Sequence, residues 1–128
     1  MTAPTVTDFK TSHYGYSDDP TPDSYTKAGK GAFSDLVEGK SLALSDTTAQ
    51  NLGAKPGDEI ELTDANGNKR VGSYDDRVPA KDPKTGEVLK GNRIDIYDPK
   101  GSEKKGEPFL AVSARRLKSA AETIYAKG

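Results

Sequence analysis

The residues best suited to chemistry in this chain are carboxylates. The stretch "VGSYDDRVPA", residues 71–80, sets Asp75 and Asp76 beside Arg77 directly after a run that reads as a β-strand, and "RIDIYDP" carries Asp95 inside another. The Asp76-Arg77 pair has two physical readings. Arg77 holds a carboxylate by a bidentate contact while the other Asp faces a groove, or the residues close a turn with a salt bridge. Asp18 and Asp19 follow a short strand but stand directly before Pro20, the signature of a plain Asp-Pro turn. Tyr14, Tyr16 and Tyr97 offer flat apolar faces on which a pyranose ring can stack, and equally serve as ordinary core aromatics. His13 is the only histidine and cysteine is absent, which argues against a conventional transition-metal site. His13 then reads as a groove hydrogen-bond donor or a surface residue. "DANGNK" opens like a calcium loop, but its ligand series breaks after Asn66 and no distal bidentate Glu follows, so it reads as a hairpin turn. "GKGAF" lacks the strand–loop–helix context of a phosphate cradle. Neither a metal nor a cofactor is expected.

These residues must be positioned by a small scaffold. A chain of 128 residues is one ordinary domain, and 32% hydrophobic content with 13 Gly and 8 Pro implies a modest core among many turns, against a helix-rich architecture. Nineteen Lys and Arg against twenty Asp and Glu leave a net charge of -1, without the basic field that nucleic acid requires. Without cysteine there are no disulfides and no thiolate metal sites, and the redox compartment stays open. The start "MTAPTVTDFK" has neither the basic nor the apolar region of a signal peptide, and no window approaches the ~20 apolar residues of a membrane span. The expectation is therefore no membrane insertion. Localisation stays unassigned between cytoplasm, a particle or lysis product, and a secreted form whose leader has been removed.

Along the chain, residues 1–10 read as a flexible arm anchored at most by Val6 and Phe9. "KTSHYGYSDD" reads as a short strand, and the Pro- and Gly-rich "PTPDSYTKAGKGAF" as a surface loop. Leu42 and Leu44 alternate as a strand, and Asp46 is placed to cap the short helix "TTAQNLG", which Gly53 would end. "EIELT", "DANGN" and "KRVGSY" form a β-hairpin. In "RIDIYDP", Ile94 and Ile96 face one way and Asp95 and Tyr97 the other. "EPFLAVS" suits a final strand, and from Ser113 the spacing of Leu110, Ala114, Leu117, Ala121 and Ile124 predicts an amphipathic helix to the C-terminus. That helix packs on its own domain or, in the sharper reading, docks on a partner protein.

The order of these motifs resembles a family. "SHYGYSDD" resembles the opening strand of expansins and rare lipoprotein A domains. "LGAKPGDEIELTDANGNKRVGSYDDRVP" resembles their helix, hairpin and Asp-Arg segment. "KGNRIDIYDP" resembles the closing strand shared with membrane-bound lytic transglycosylase A and the small 3D domains of cell-wall lytic proteins. The resemblance covers roughly residues 11–98. It implies a six-stranded double-psi β-barrel, placed over 11–112 with short helices, to which the apolar spacing adds the C-terminal α-helix at 113–128. It also implies a polysaccharide partner, peptidoglycan in kind, and places Asp95 as general acid with Asp76 in support. Asp18 falls near the base of related hydrolases, Tyr14, Tyr16, Tyr97, His13 and Arg77 line the substrate, and a lytic transglycosylase or glycosidase is the implied enzyme. Glycosidic hydrolysis usually pairs two carboxylates, whereas a transglycosylase works with one, because a hydroxyl of the sugar itself replaces water. Two rival expectations are a glycan-binding domain without catalysis, and an assembly component of a phage or secretion particle that docks through the N-terminal arm and C-terminal helix.

Overall fold

The computed structural model describes residues 4–15, 25–26, 29–30, 36–82, 85–89, 91–99 and 108–118. Within them the chain forms β1 (Thr5–Val6), β2 (Lys10–Tyr14), β3 (Tyr25–Thr26), β4 (Gly29–Lys30), β5 (Ser41–Leu44), helix α1 (Asp46–Leu52), β6 (Glu59–Asp64), β7 (Lys69–Arg77), β8 (Arg93–Tyr97) and β9 (Ala111–Lys118). Seven strands make one mixed sheet in the order β1-β9-β6-β7-β5-β8-β2, and β3 pairs with β4 apart from it. β2 runs parallel to β8 and β5 parallel to β7, while the other neighbours are antiparallel.

Local chemistry explains most of these elements. Ser45, one residue before the expected cap, closes the start of α1 by accepting the Thr48 N–H, and Asp46 lies in the first turn. Gly53 ends the helix at φ 64°, a left-handed conformation that glycine adopts without steric cost. In the β6–β7 hairpin, the Asp64 carboxylate accepts the N–H groups of Asn66 and Asn68 at 2.9 and 2.8 Å, which fixes the Asn-Gly turn. Leu42 and Leu44 of β5, Ile60 and Leu62 of β6 and Ile94 and Ile96 of β8 form the main core with Leu52 of α1. Ala43, Tyr14 and Tyr97 belong to a second, smaller cluster with Leu36 and Val78.

The close approach of β7 to the residues around β5 makes Gly72 sensitive. A Cβ built there would lie 2.7 Å from both Leu42 Cδ1 and the Lys40 carbonyl oxygen. Leu42 can shift a little, but the backbone carbonyl cannot, since Lys40 O accepts the Ser73 N–H. Gly72→Ala is expected to destabilise the fold by about 1–3 kcal/mol, read as a lower denaturant midpoint at an unchanged slope.

Two expectations about the fold are corrected. The sheet is not a closed six-stranded double-psi barrel: it has seven strands and two edges, β1 and β2. Closure would need a backbone ladder from β2 to the far edge. Instead the free side of β9 is taken by β1, with Thr5 opposite Arg115 and Val6 opposite Ala114. What reaches across from β2 is side chains: Thr11 Oγ1 donates to the Ala111 carbonyl at 3.0 Å, and His13 Nε2 lies 3.2 Å from the Phe109 carbonyl.

The C-terminal helix is corrected as well. Residues 113–118 lie inside β9, and α1 is the one helix among the described residues; the rest of the expected helix, 119–128, lies outside them. Of the apolar residues that suggested the helix, Ala114 is buried, but Leu110 and Leu117 are exposed at 53% and 36%, so they mark no common inward face. β9 shifts against β6 between Thr63 and Asp64 and again between Glu59 and Ile60, which leaves Val112 and Leu117 as extra residues. Each bulge slips the inward face by one residue, so buried Ala111 is followed by buried Ala114 at a spacing of three.

The β6–β9 pairing also carries a charge contact. Arg115 Nε donates to Glu61 Oε1 at 2.9 Å, and Lys69 Nζ lies 3.6 Å from the same oxygen. The Arg115 hydrogen bond, acting against partial burial and helped by the charges of Arg115 and Lys69, holds the Glu61 carboxyl below its ordinary 4.5. The folded value is depressed, so on acidification the unfolded chain takes up the proton first. The stabilisation is therefore complete above 4.5 and is lost as pH falls through the lower folded value. Glu61→Gln is expected to flatten that part of the stability–pH curve and leave the rest unchanged.

Candidate functional site

The face of the sheet opposite the main core collects the acidic residues. On β5 that face shows Ser41 and Ala43, because Leu42 and Leu44 point into the main core. Ala43 stands opposite Asp95 of β8 on one side and Asp76 of β7 on the other, and Asp95 stands opposite Ser12 of β2. Ser12, Asp95, Ala43 and Asp76 thus form one row across four strands. Two strand spacings separate the Cα atoms of Asp95 and Asp76, about 9–10 Å.

A register shift in the β5–β7 pairing brings Asp76 into this row. Leu42 pairs with Tyr74 and Ala43 with Asp76, so Asp75 is the extra residue. Without the bulge, strand alternation would have sent Asp75 and Asp76 to opposite faces. With it, Asp75 accepts the hydroxyls of Ser41 and Ser73 at 2.6 and 2.7 Å, while Asp76 enters the second cluster.

Asp76 is sealed, at 0% exposure. Its Oδ2 accepts the Tyr14 hydroxyl at 2.6 Å, and its Oδ1 accepts the Arg77 N–H at 2.8 Å. Tyr14 packs against Tyr97 with ring centroids 5.5 Å apart, and the two side chains keep only 5% and 4% exposure. Both rings are spent on packing and offer no open face to a sugar. Asp95 differs: its side chain is 14% exposed, it accepts a short hydrogen bond from Ser12 Oγ, and Arg93 Nη2 lies 4.0 Å from its Oδ1.

The other expected site residues go elsewhere. The Arg77 guanidinium forms a fork with Asp46 at the start of α1, Nε to Oδ1 at 2.9 Å and Nη2 to Oδ2 at 2.7 Å. It tethers β7 to α1. His13 pairs in register with Ile96 and so belongs to the main-core face, away from Asp95. Tyr16 and Asp18 lie outside the described residues. Ser12 and Arg93 were missed, although both stand two residues from a named candidate on the same strand, the spacing that shares a face. Among the described residues no three His, Asp or Glu side chains converge as metal ligands, and no helix is long and apolar enough to cross a membrane.

Comparison with known protein families, with curated proteins and with solved structures finds no match for this chain.

Proposed function

We propose that this chain acts on cell-wall polysaccharide, peptidoglycan in kind, by single-acid chemistry at Asp95. One observation carries the reading: of the two carboxylates in the row, Asp95 keeps a solvent-facing side chain while Asp76 is wholly buried. A two-carboxylate hydrolase needs both groups at the substrate, about 5 Å apart for retention or 6.5–9.5 Å for inversion. A sealed Asp76 cannot activate a water or attack a sugar. A transglycosylase needs one acid. In that sequence Asp95 protonates the glycosidic oxygen, the C–O bond breaks and the leaving sugar departs as an alcohol. A hydroxyl of the remaining sugar attacks the anomeric carbon, and the Asp95 carboxylate takes its proton, which restores the acid and leaves an anhydro sugar without consuming water. Asp76 acts at one remove, holding Tyr14 and the Arg77 backbone in place. The choice of glycan follows from the sequence resemblance.

The test is product analysis after incubating the purified protein with peptidoglycan. Anhydro-ended fragments without new reducing ends are expected. New reducing ends would replace this reading with hydrolysis. Retention on insoluble wall without soluble product would leave only a binding domain, and no retention together with a large assembly on sizing would favour the particle role.

A further inference from the structure

We infer that Arg93, with Lys10 beside it, forms a subsite for an anionic group carried by the sugar on which Asp95 acts, a carboxylate being the best geometric match. The inference rests on the glycan reading above and narrows its substrate class. Arg93 precedes Asp95 by two residues on β8, so the two side chains leave the same face of the strand. Lys10, on edge strand β2, stands directly opposite Arg93 in the parallel register, and it is exposed. Arg93 thus lies beside Asp95, with Lys10 across from it on β2.

Arg93 is held in place by its backbone, not by its guanidinium. Its N–H donates to the Thr48 hydroxyl at 2.9 Å and to Ser45 Oγ at 3.0 Å, and its carbonyl accepts the Ser45 N–H at 3.1 Å. The side chain makes no hydrogen bond among the described residues. Its Nε is buried without a partner, and its one electrostatic contact is the 4.0 Å approach of Nη2 to Asp95, beyond hydrogen-bond range. An arginine carries five donors and is charged at every working pH. The Nε is sealed, but the terminal nitrogens are not among the buried atoms without a partner, and at 22% side-chain exposure they are the part of the guanidinium open to a ligand, with no protein acceptor in hydrogen-bond range among the described residues. The partner that fits is an anion arriving from solvent: the terminal edge of the guanidinium presents two parallel N–H groups that match the two oxygens of a carboxylate. Bound there, the group lies next to the Asp95 carboxyl, which would orient an acidic sugar with its glycosidic oxygen toward the acid.

The test uses two peptidoglycan-type oligosaccharides on one backbone, an amino-sugar oligomer stripped of its peptides so that its lactyl carboxyls are free, and the same oligomer with those carboxyls reduced to alcohols. Their dissociation constants are measured by calorimetry at low salt. The wild-type chain is expected to bind the carboxylated oligomer at least about tenfold more tightly than the neutral one. Arg93→Gln should bring the acidic oligomer down to the affinity of the neutral one. Arg93→Lys, which keeps the charge but loses the planar fork, should retain only part of the preference. Lys10→Gln changes an exposed edge residue and should reduce the preference by a smaller factor, so the subsite remains testable if Arg93→Gln does not fold. Equal affinity of the wild type for the two oligomers, or a preference that survives Arg93→Gln, would overturn the subsite. Asp95-dependent release of fragments from cell wall, scored in parallel, would then still uphold the glycan reading. Absence of both that release and oligosaccharide binding would sink the two together.

Discussion

Asp95→Asn is expected to lower the rate of fragment release from peptidoglycan by about 10²–10⁴-fold, the contribution of a positioned general acid, while leaving the fold intact. The amide is nearly isosteric with the carboxyl and keeps an oxygen to accept the Ser12 hydroxyl, so the β2–β8 contact survives. What it lacks is a proton to give. Because the Asp95 side chain is partly exposed and the amide keeps its Ser12 partner, the thermal midpoint of the variant should stay close to that of the wild type. Loss of rate with an unchanged midpoint separates a chemical role from a structural one. A variant that releases fragments at the wild-type rate would remove Asp95 from the mechanism.

Asp76 makes the opposite prediction, a large effect on stability. Asp76→Ala leaves at least two donors, the Tyr14 hydroxyl and the Arg77 N–H, without their acceptor, the first in a buried place and the second in a partly buried one. Each orphaned buried donor costs about 1–3 kcal/mol, so a total loss of about 2–5 kcal/mol is expected in urea unfolding. Tyr14→Phe alone should cost about 1 kcal/mol, because Asp76 keeps the Arg77 N–H. In the double variant the Tyr14 donor is no longer stranded, so the combined loss should fall short of the sum of the single losses. Strict additivity would mean that the Tyr14–Asp76 hydrogen bond is energetically idle.

The sequence made local structure legible wherever a short-range signal existed. Ser45 and Gly53 bracket α1 within a residue of expectation, the Asn-Gly turn fixes the β6–β7 hairpin, and the alternation in "RIDIY" separates Ile94 and Ile96 from Asp95 and Tyr97 as expected. Some of the misses come from β-bulges, which break period two without marking the residues involved. The bulge at Asp75 decides which of two adjacent aspartates enters the row, and the bulges at Val112 and Leu117 interrupt the alternation of β9. The partner of Arg77 was illegible for a different reason. Asp46 lies 31 residues away and meets it only because β5 runs parallel to β7 and leads straight into α1. Sheet closure likewise depends on whether β1 occupies β9, a pairing between the two ends of the described chain that no local pattern announces.

That pairing has a consequence for how the molecule comes into being. β9 is the last strand among the described residues, yet it is inserted between β6 and β1, with Thr5 waiting for Arg115 and Leu62 for Ala114. A nascent chain emerging from the ribosome can form the hairpin and α1 early, but its sheet stays incomplete until residues beyond 110 have been made. Contacts of such sequence separation slow folding. Meanwhile β6 presents an unpaired row of backbone donors and acceptors, a template on which another unfinished copy can pair. Chains shortened before Ala111 should therefore accumulate as aggregates, because β9 serves this protein as the clasp that shuts its own most adhesive edge.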